Sequence, residues 1–434
     1  MKYSKYEQYK ASGIDWLGQV PENWTVKKIK WDTAVFRGAS PRPIDDPVYF
    51  DDDGDYAWVR IADVTASGKF LEKTTQRLSA LGASLSVKMQ PKSLFLSIAG
   101  SVGKPCITNI KCCIHDGFVY FPFLKINQDF LYYIFASGES YKGLGKLGTQ
   151  LNLNTETVGS ISIAIPTSVE QQSIANFLDK ETTRLDALIA KKQQLIETLK
   201  EKRIATISHA VTKGLNPDVQ MKDSEIEWLD LIPKDWEEKP LKFVSTLNDE
   251  TLSETTDPEY EIKYVDIGSI DQNKGIIKKE SYIFDEAPSR ARRKVIHGDI
   301  IVSTVRTYLR AIAPVINPEE NLIVSTGFAV IRPRKITSDY LSFLLRSKYF
   351  VEKVVSLSVG VSYPAINASV LGSIKIPIPS ENEQVQISTY LYQETQNIDN
   401  IIGLTEKHID KLIEYKTALI SAAVTGKIKV PEQA

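Results

Sequence analysis

The chain has 434 residues, 42% hydrophobic and 25% charged, with a formal net charge of −1, so one hydrophobic core is too small to organise it and two or more domains are expected. That balance excludes a histone-like protein that holds nucleic acid by bulk charge, and no apolar run reaches membrane-spanning length. The three clustered cysteines, Cys106, Cys112 and Cys113, exclude a disulfide framework, and the Lys- and Tyr-rich start lacks a secretory signal, so a cytoplasmic protein is expected.

From the N-terminus, the first landmark is Ser12-Gly-Ile-Asp-Trp16-Leu followed by Pro21 and Trp24. Residues 1–166 then read as a mixed α/β domain. Ser93–Ile98 and Phe118–Phe121 are apolar runs of strand length, and Phe130–Ala136 has helical character. Residues 167–213 change register: Leu178, Leu185, Leu188, Ile189, Leu195, Ile196 and Leu199 recur at three- and four-residue spacing, the stripe of a long amphipathic helix. Gly214 and Pro217 supply its stop.

The pattern then starts again. Ser224-Glu-Ile-Glu-Trp228-Leu, Pro233 and Trp236 repeat the opening at an offset of 212 (Trp16 to Trp228). Residues 214–379 form a second strand-rich segment, with Asp299–Ser303 and Phe328–Ile331 as strands and Tyr340–Phe350 as helix. It echoes the first only weakly, as in Val59-x-Ile61 with Val265-x-Ile267 and Gly117-Phe118 with Gly327-Phe328. Residues 380–428 carry the second stripe, Leu391, Ile398, Ile401, Ile402, Ile409 and Leu412, ended by Gly426 and Pro431. The flanks Ile165-Pro166, Glu170-Gln171, Ile174, Glu181, Asp186 and Ala210-Val-Thr212 return 213 residues later, as from Glu170 to Glu383.

Fixed-offset self-similarity is the mark of a duplicated unit. The order is variable, constant, variable, constant. Both stripes carry a polar break at matching places, Lys192 and Thr405, which predicts that the helices pair as an antiparallel coiled coil about a pseudo-two-fold axis. The pairing residues would be Leu185, Leu188, Leu195 and Leu199 with Ile398, Ile401 and Leu412. Two unrelated amphipathic helices, each packed on its own domain, would leave that shared register unexplained. The expected fold class is α/β (α+β): two similar mixed domains separated by a pair of long helices. A helix over residues 185–212 would span on the order of 42 Å, about one turn of duplex, which suits a two-part DNA target.

Residues of catalysis are sparse. The chain lacks the Asn/Asp-Pro-Pro-aromatic loop of an adenine methyltransferase and a glycine-rich turn for its cofactor. Gly100-Ser-Val-Gly103-Lys104 is too short for a phosphate loop and runs into Pro105. Glu261-Ile-Lys263 lacks the Pro-Asp partner of a nuclease metal site, and His115-Asp116 has no nucleophile and reads as a turn.

The motifs together resemble the specificity subunit of Type I restriction-modification enzymes. The carriers are Trp16-x4-Pro21-x2-Trp24 and its copy, Gly148-Thr-Gln-Leu-Asn-Leu-Asn154 before Ile163-x-Ile-Pro166, and the Glu170-Gln171 helix entry. In the second half they are Gly360-Val-Ser-Tyr-Pro-Ala-Ile-Asn367, Ile376-Pro-Ile-Pro379 and Glu383-Gln384. The second half departs in carrying Tyr363-Pro364 where the first has Gln150-Leu151. The resemblance implies target-recognition domains at residues 1–166 and 214–379 and conserved helical regions at 167–213 and 380–428. It implies double-stranded DNA, two methyltransferase subunits and restriction (motor-nuclease) subunits as partners. It also implies no cofactor in this chain, with S-adenosylmethionine, ATP and Mg on the partners. The expected function is a non-catalytic specificity subunit reading a bipartite, asymmetric target. The alternatives are the recognition portion of a combined restriction-methylation enzyme and a coiled-coil assembly scaffold.

Candidate DNA contacts follow from residue type. In the second variable segment Arg290, Arg292, Arg293 and Lys294, then Arg306 and Arg310, can reach phosphates or guanine edges, with Ser362 and Tyr363 beside them. In the first, Arg42, Lys104, Lys142 and Lys146 are the basic counterparts. Thr149 and Gln150 would be polar readers, since Gln can bond adenine bidentately. A solvated face, or for Gln150 a capped turn, is the competing explanation.

Overall fold

The computed structural model describes residues 3–142, 144, 153–226, 229–272 and 274–431. It divides into two units, Met1–Lys192 with Lys407–Ala434, and Gln193–Glu406. The two long helices are Ser168–Lys213, 46 residues, and Glu381–Val424, 44 residues. Among the described residues, no helix is long and apolar enough to cross a membrane.

In the first unit, one sheet has the strand order Phe36–Arg37, Phe118–Tyr120, Ser93–Ser97, Pro105–Thr108, Phe70–Leu71. A second runs Gln76–Leu78, Tyr56–Val59, Cys112–Ile114, Val87–Met89. The apolar run at Ser93–Ser97 is explained by burial on both faces. Leu94 and Leu96 pack toward the helix Gln128–Ala136, while Phe95 joins the core around Val59 and Ile114. Alternation along the strand delivers neighbouring side chains to opposite cores.

The second unit repeats this arrangement, except that the first sheet has four strands where its counterpart has five. Its sheets run Ser245–Leu247, Phe328–Pro333, Ile300–Ser303, Ile312–Pro314, and Glu280–Ile283, Glu261–Val265, Leu322–Ser325, Ala291–Lys294. Ile300 and Val302 face one core and Ile301 the other. One parallel pairing recurs at the same place of the second sheet in each half, Tyr56–Val59 with Cys112–Ile114 and Glu261–Val265 with Leu322–Ser325. The stretch read as one helix at Tyr340–Phe350 is two, Ser338–Arg346 and Lys348–Ser356. Ser347 between them is extended and its Oγ caps Phe350 N at 3.4 Å, so the helix restarts with a new axis.

The repeated motifs find their cause where each module meets its long helix. Trp24 is fully buried and its Nε1–H donates to Glu170 at 3.2 Å. Trp236 does the same to Glu383 at 2.9 Å. The next residue is a clamp. Gln171 donates to the Pro166 carbonyl (2.9 Å) and accepts from Asn127 N (2.8 Å), and Gln384 repeats this with Pro379 (2.9 Å) and Thr337 (2.8 Å). Strand end, long-helix entry and module-helix start are thereby tied together.

The helix segments run antiparallel in each unit. In the first, Asp186 pairs with Lys416 at 2.7 Å and Leu185 packs in the core that holds Leu419 and Ile420. In the second, Asp399 pairs with Arg203 at 3.1 Å, and Ile207 shares a core with Ile387 and Leu391. Asp399 is Asp186 plus 213 and Arg203 is Lys416 minus 213, so both units contain the same contact. Ile398 is buried, and Leu188, Leu199 and Leu412 are half-buried. Leu195 and Ile401, however, are 44% and 46% exposed, contrary to the pairing predicted for them. Adjacent positions such as 195 and 196 lie about 100° apart on a helix, so only one can face inward, and Ile196 takes that place.

Each long helix ends on a left-handed glycine. Gly214 (φ 76°) lies against Pro233 and Trp236, and Gly426 (φ 70°) against Pro21 and Trp24. An alanine at either adds left-handed strain of about 1–2 kcal/mol. At 426 its Cβ would also stand 2.3 Å from Pro21 Cδ, whereas at 214 the nearest atom is 3.1 Å away. Gly426→Ala therefore loses more stability than Gly214→Ala in urea melts. Gln384→Ala strands the buried Pro379 carbonyl and the half-buried Thr337 N–H and costs about 2–4 kcal/mol, read as a lower urea midpoint.

Candidate nucleic-acid interface

In the second unit, the hairpin between Ile300–Ser303 and Ile312–Pro314 carries Arg306 and Arg310, both exposed and both left-handed at φ 52° and 53°. Such a backbone is strained for arginine and needs outside support. Arg306 N donates to the Pro364 carbonyl (2.7 Å), Ile366 N donates to the Thr304 carbonyl (2.9 Å), and the Thr307 and Ser358 hydroxyls meet at 2.8 Å. The supporting segment is the Gly360-Val-Ser-Tyr-Pro stretch. Val359 and Ala365 exchange both backbone bonds (2.9 and 3.0 Å), leaving Ser362 and Tyr363 exposed at its tip.

The Arg306 guanidinium lies 4.9 Å from the Tyr363 ring centroid. Together with Arg290, Tyr264, Asp266 and Ser325 they line a cleft of about 590 Å³. An open cleft holding two arginines, an aromatic face and hydroxyl groups can engage phosphate and base edges at once. Tyr264 and Asp266 were not singled out in the sequence; the Val265-x-Ile267 echo was the available signal, since it marks the strand end that bears them.

The other arginines of the cluster are committed locally. Arg292 stacks on Phe284 at 4.5 Å and donates to the Ala291 carbonyl at 3.0 Å. Arg293 buries its Nε without a hydrogen-bond partner, and that burial lowers its pKa. A register shift between Ala291 and Arg293 explains why alternation along the strand did not sort them.

In the first unit, Arg42 is exposed and pairs with Asp116 at 3.0 Å. Arg37, absent from the sequence candidates, joins it by donating to the Asp116 carbonyl at 2.6 Å. Burial raises the Asp116 carboxyl, but Ser40, Arg42 and Arg37 outweigh it and hold the group below its usual range. Lys142 is exposed and paired with Glu139 at 2.6 Å. Lys104 points inward: its ammonium donates to the Thr65 and Ser67 carbonyls at 2.8 and 2.9 Å, and burial lowers its pKa. Lys146, Thr149 and Gln150 lie outside the described residues.

The residues weighed for catalysis take structural places. Gly100–Lys104 is the turn of the hairpin Ser93–Ser97/Pro105–Thr108, with strand rather than helix after it. The three cysteines are buried, and burial pushes Cys106 and Cys113 up to about 12 and Cys112 to about 11. His115 Nδ1 accepts from Gly117 N at 2.9 Å, a bond that only an unprotonated nitrogen can make.

Burial lowers the His115 pKa from its ordinary 6.5. As pH falls, the unfolded chain takes up this proton first, so the stability contribution is full above that value and declines as pH drops toward the folded pKa. The melting temperature of the chain falls as pH drops below the ordinary histidine value of 6.5, and His115→Asn flattens that dependence.

The family model for the Type I restriction modification DNA specificity domain matches the chain twice, at residues 21–198 and 233–414. The type I restriction enzyme MjaVIII specificity subunit of Methanocaldococcus jannaschii is 27% identical over 315 residues, 70% of this chain and 72% of that one. Among solved structures, a chain from work on complex assembly and conformational transition of the type I R-M system aligns with TM-score 0.70 and 14% identity, covering 93% of this chain and 98% of the other. The HsdS subunit of Thermoanaerobacter tengcongensis aligns with TM-score 0.55 and 14% identity, covering 94% and 98%. At that identity the structural likeness speaks for the fold.

Proposed function

The chain belongs to the Type I restriction-modification DNA specificity family, and from that premise we propose that it is the DNA sequence-specificity subunit of such a system. The observation that carries this is one fold present twice with unlike exposed loops. A duplicated scaffold with matched rods and divergent tips suits a reader of two different half-sites, and so of an asymmetric, bipartite target. In this reading the chain is non-catalytic. The long helices offer surfaces to two methyltransferase subunits and to restriction subunits, which bring S-adenosylmethionine, ATP and Mg.

In the second module Arg306, stacked on Tyr363, Arg290 and Arg310 are the proposed contacts, with Ser362 at the loop tip. In the first they are Arg42 and Arg37, with Lys142 on the phosphates. Lys104, Arg292 and Arg293 are reassigned to holding the module together, which their backbone, ring and buried positions support.

Replacing residues 1–166 by the equivalent segment of a relative changes one half of the methylated sequence and leaves the other intact, read by methylome sequencing of a host that also expresses the cognate partner subunits. Unchanged specificity overturns the proposal. Arg306→Ala and Arg310→Ala each weaken binding to the cognate duplex by about 1–3 kcal/mol at fixed salt, measured by titration calorimetry. Lys104→Met instead lowers thermal stability.

A further inference from the structure

Each unit has a cleft where its module helix and a long helix meet the strand edge, and the two clefts differ in charge balance. In the first, Lys69 projects from the strand edge and is held by Asp129 at 2.6 Å and Asp179 at 2.5 Å, beside the Tyr132 and Tyr133 rings. Its charge is matched twice. In the second, Arg346 enters from the last position of the helix Ser338–Arg346, where the helix Gln128–Ala136 of the first unit ends in Ala136. The counterpart of Asp179, 213 residues on, is Tyr392, and its hydroxyl donates to Asp339 at 2.8 Å. One carboxylate has been replaced and the other is engaged by a neutral group.

Arg346 is left with a hydrogen bond from Nε to the Ser342 carbonyl (3.1 Å) and the Phe343 ring at 4.9 Å, and it forms no ion pair with any described carboxylate. Asp399, whose charge it feels, is ion-paired with Arg203 at 3.1 Å. Burial, then Arg203, pushes the guanidinium down to about 10, so it stays charged at neutral pH. The cleft it lines has a volume of about 340 Å³ and also receives Lys274 and Lys279, the latter held by Glu319 at 2.5 Å.

We propose that this second-unit cleft is an oxyanion site that takes a phosphate group, with Arg346 as its principal ligand. A withdrawn guanidinium without a carboxylate is costly alone and is matched by a phosphate, which its planar fork can grip through two hydrogen bonds. Pro314, Ile316 and Tyr392 wall the cleft and leave room for an organic group beyond the phosphate. The phosphate comes from a free phosphate monoester or from the DNA backbone.

Thermal unfolding of the full-length chain in inorganic phosphate, against chloride at equal ionic strength, tests the site. The wild type gains Tm with phosphate, as ligand binding to the native state requires. Arg346→Met loses that gain. Tyr392→Asp, which restores the carboxylate of the first unit, suppresses it while Arg346 is still present. No phosphate-specific shift in the wild type, or a shift retained in Arg346→Met, overturns the proposal. DNA titrations over a range of salt separate the sources. A slope of log K against log salt that is shallower by roughly 0.9 in Arg346→Met assigns the site to a backbone phosphate, and an unchanged slope assigns it to a free ligand.

Discussion

Every module hangs on one buried contact, the indole N–H of Trp24 or Trp236 on the first-turn glutamate of a long helix. A buried tryptophan must place that N–H, since stranding it costs about 1–3 kcal/mol. A carboxylate at a helix N-terminus is the favourable acceptor because the helix dipole supports its charge. The glutamine that follows then satisfies a strand-end carbonyl and the first N–H of the module helix. Three elements from distant parts of the sequence are oriented by two adjacent residues. That is why Glu170-Gln171 and Glu383-Gln384 are kept in both halves while most of each module differs.

With the frame so held, the hairpin tips are released to differ in chemistry. The turn after Ser97 places Gly100 at φ 63°, and the turn after Ser303 places Arg306 at φ 52°, three residues on in each case. Glycine adopts that backbone freely, whereas arginine needs the Pro364 carbonyl and its neighbours to hold it. The second half thus bears strain to present a cation at the turn position where the first has a glycine. Two readers with one skeleton and unlike tips are what an asymmetric target demands.

The same divergence reaches the clefts beside the long helices. Lys69, at a strand edge, meets two aspartates in the first cleft, whereas Arg346, at the helix end where the first unit has Ala136, meets none in the second, and Tyr392 stands where the first unit has Asp179. The halves are therefore alike in fold and unlike in electrostatics, both at their tips and at their roots.

Duplication, the two long helices, their stops and the strand-rich modules were legible in the sequence, because repeats and periodicity are local properties that survive without knowing what they pack against. So was the Trp-Pro-Trp opening as a landmark, although its reason was not. Which flank of each stripe is buried, leaving Leu195 and Ile401 outside, depended on the face the packed elements present. Only the tertiary structure turned Lys104 inward onto Thr65 and Ser67, laid Arg292 on Phe284, and gathered Arg290, Arg306 and Tyr363 into one cleft. A side chain's role depends on partners that chain spacing does not specify, so residue type named the candidates and packing chose among them.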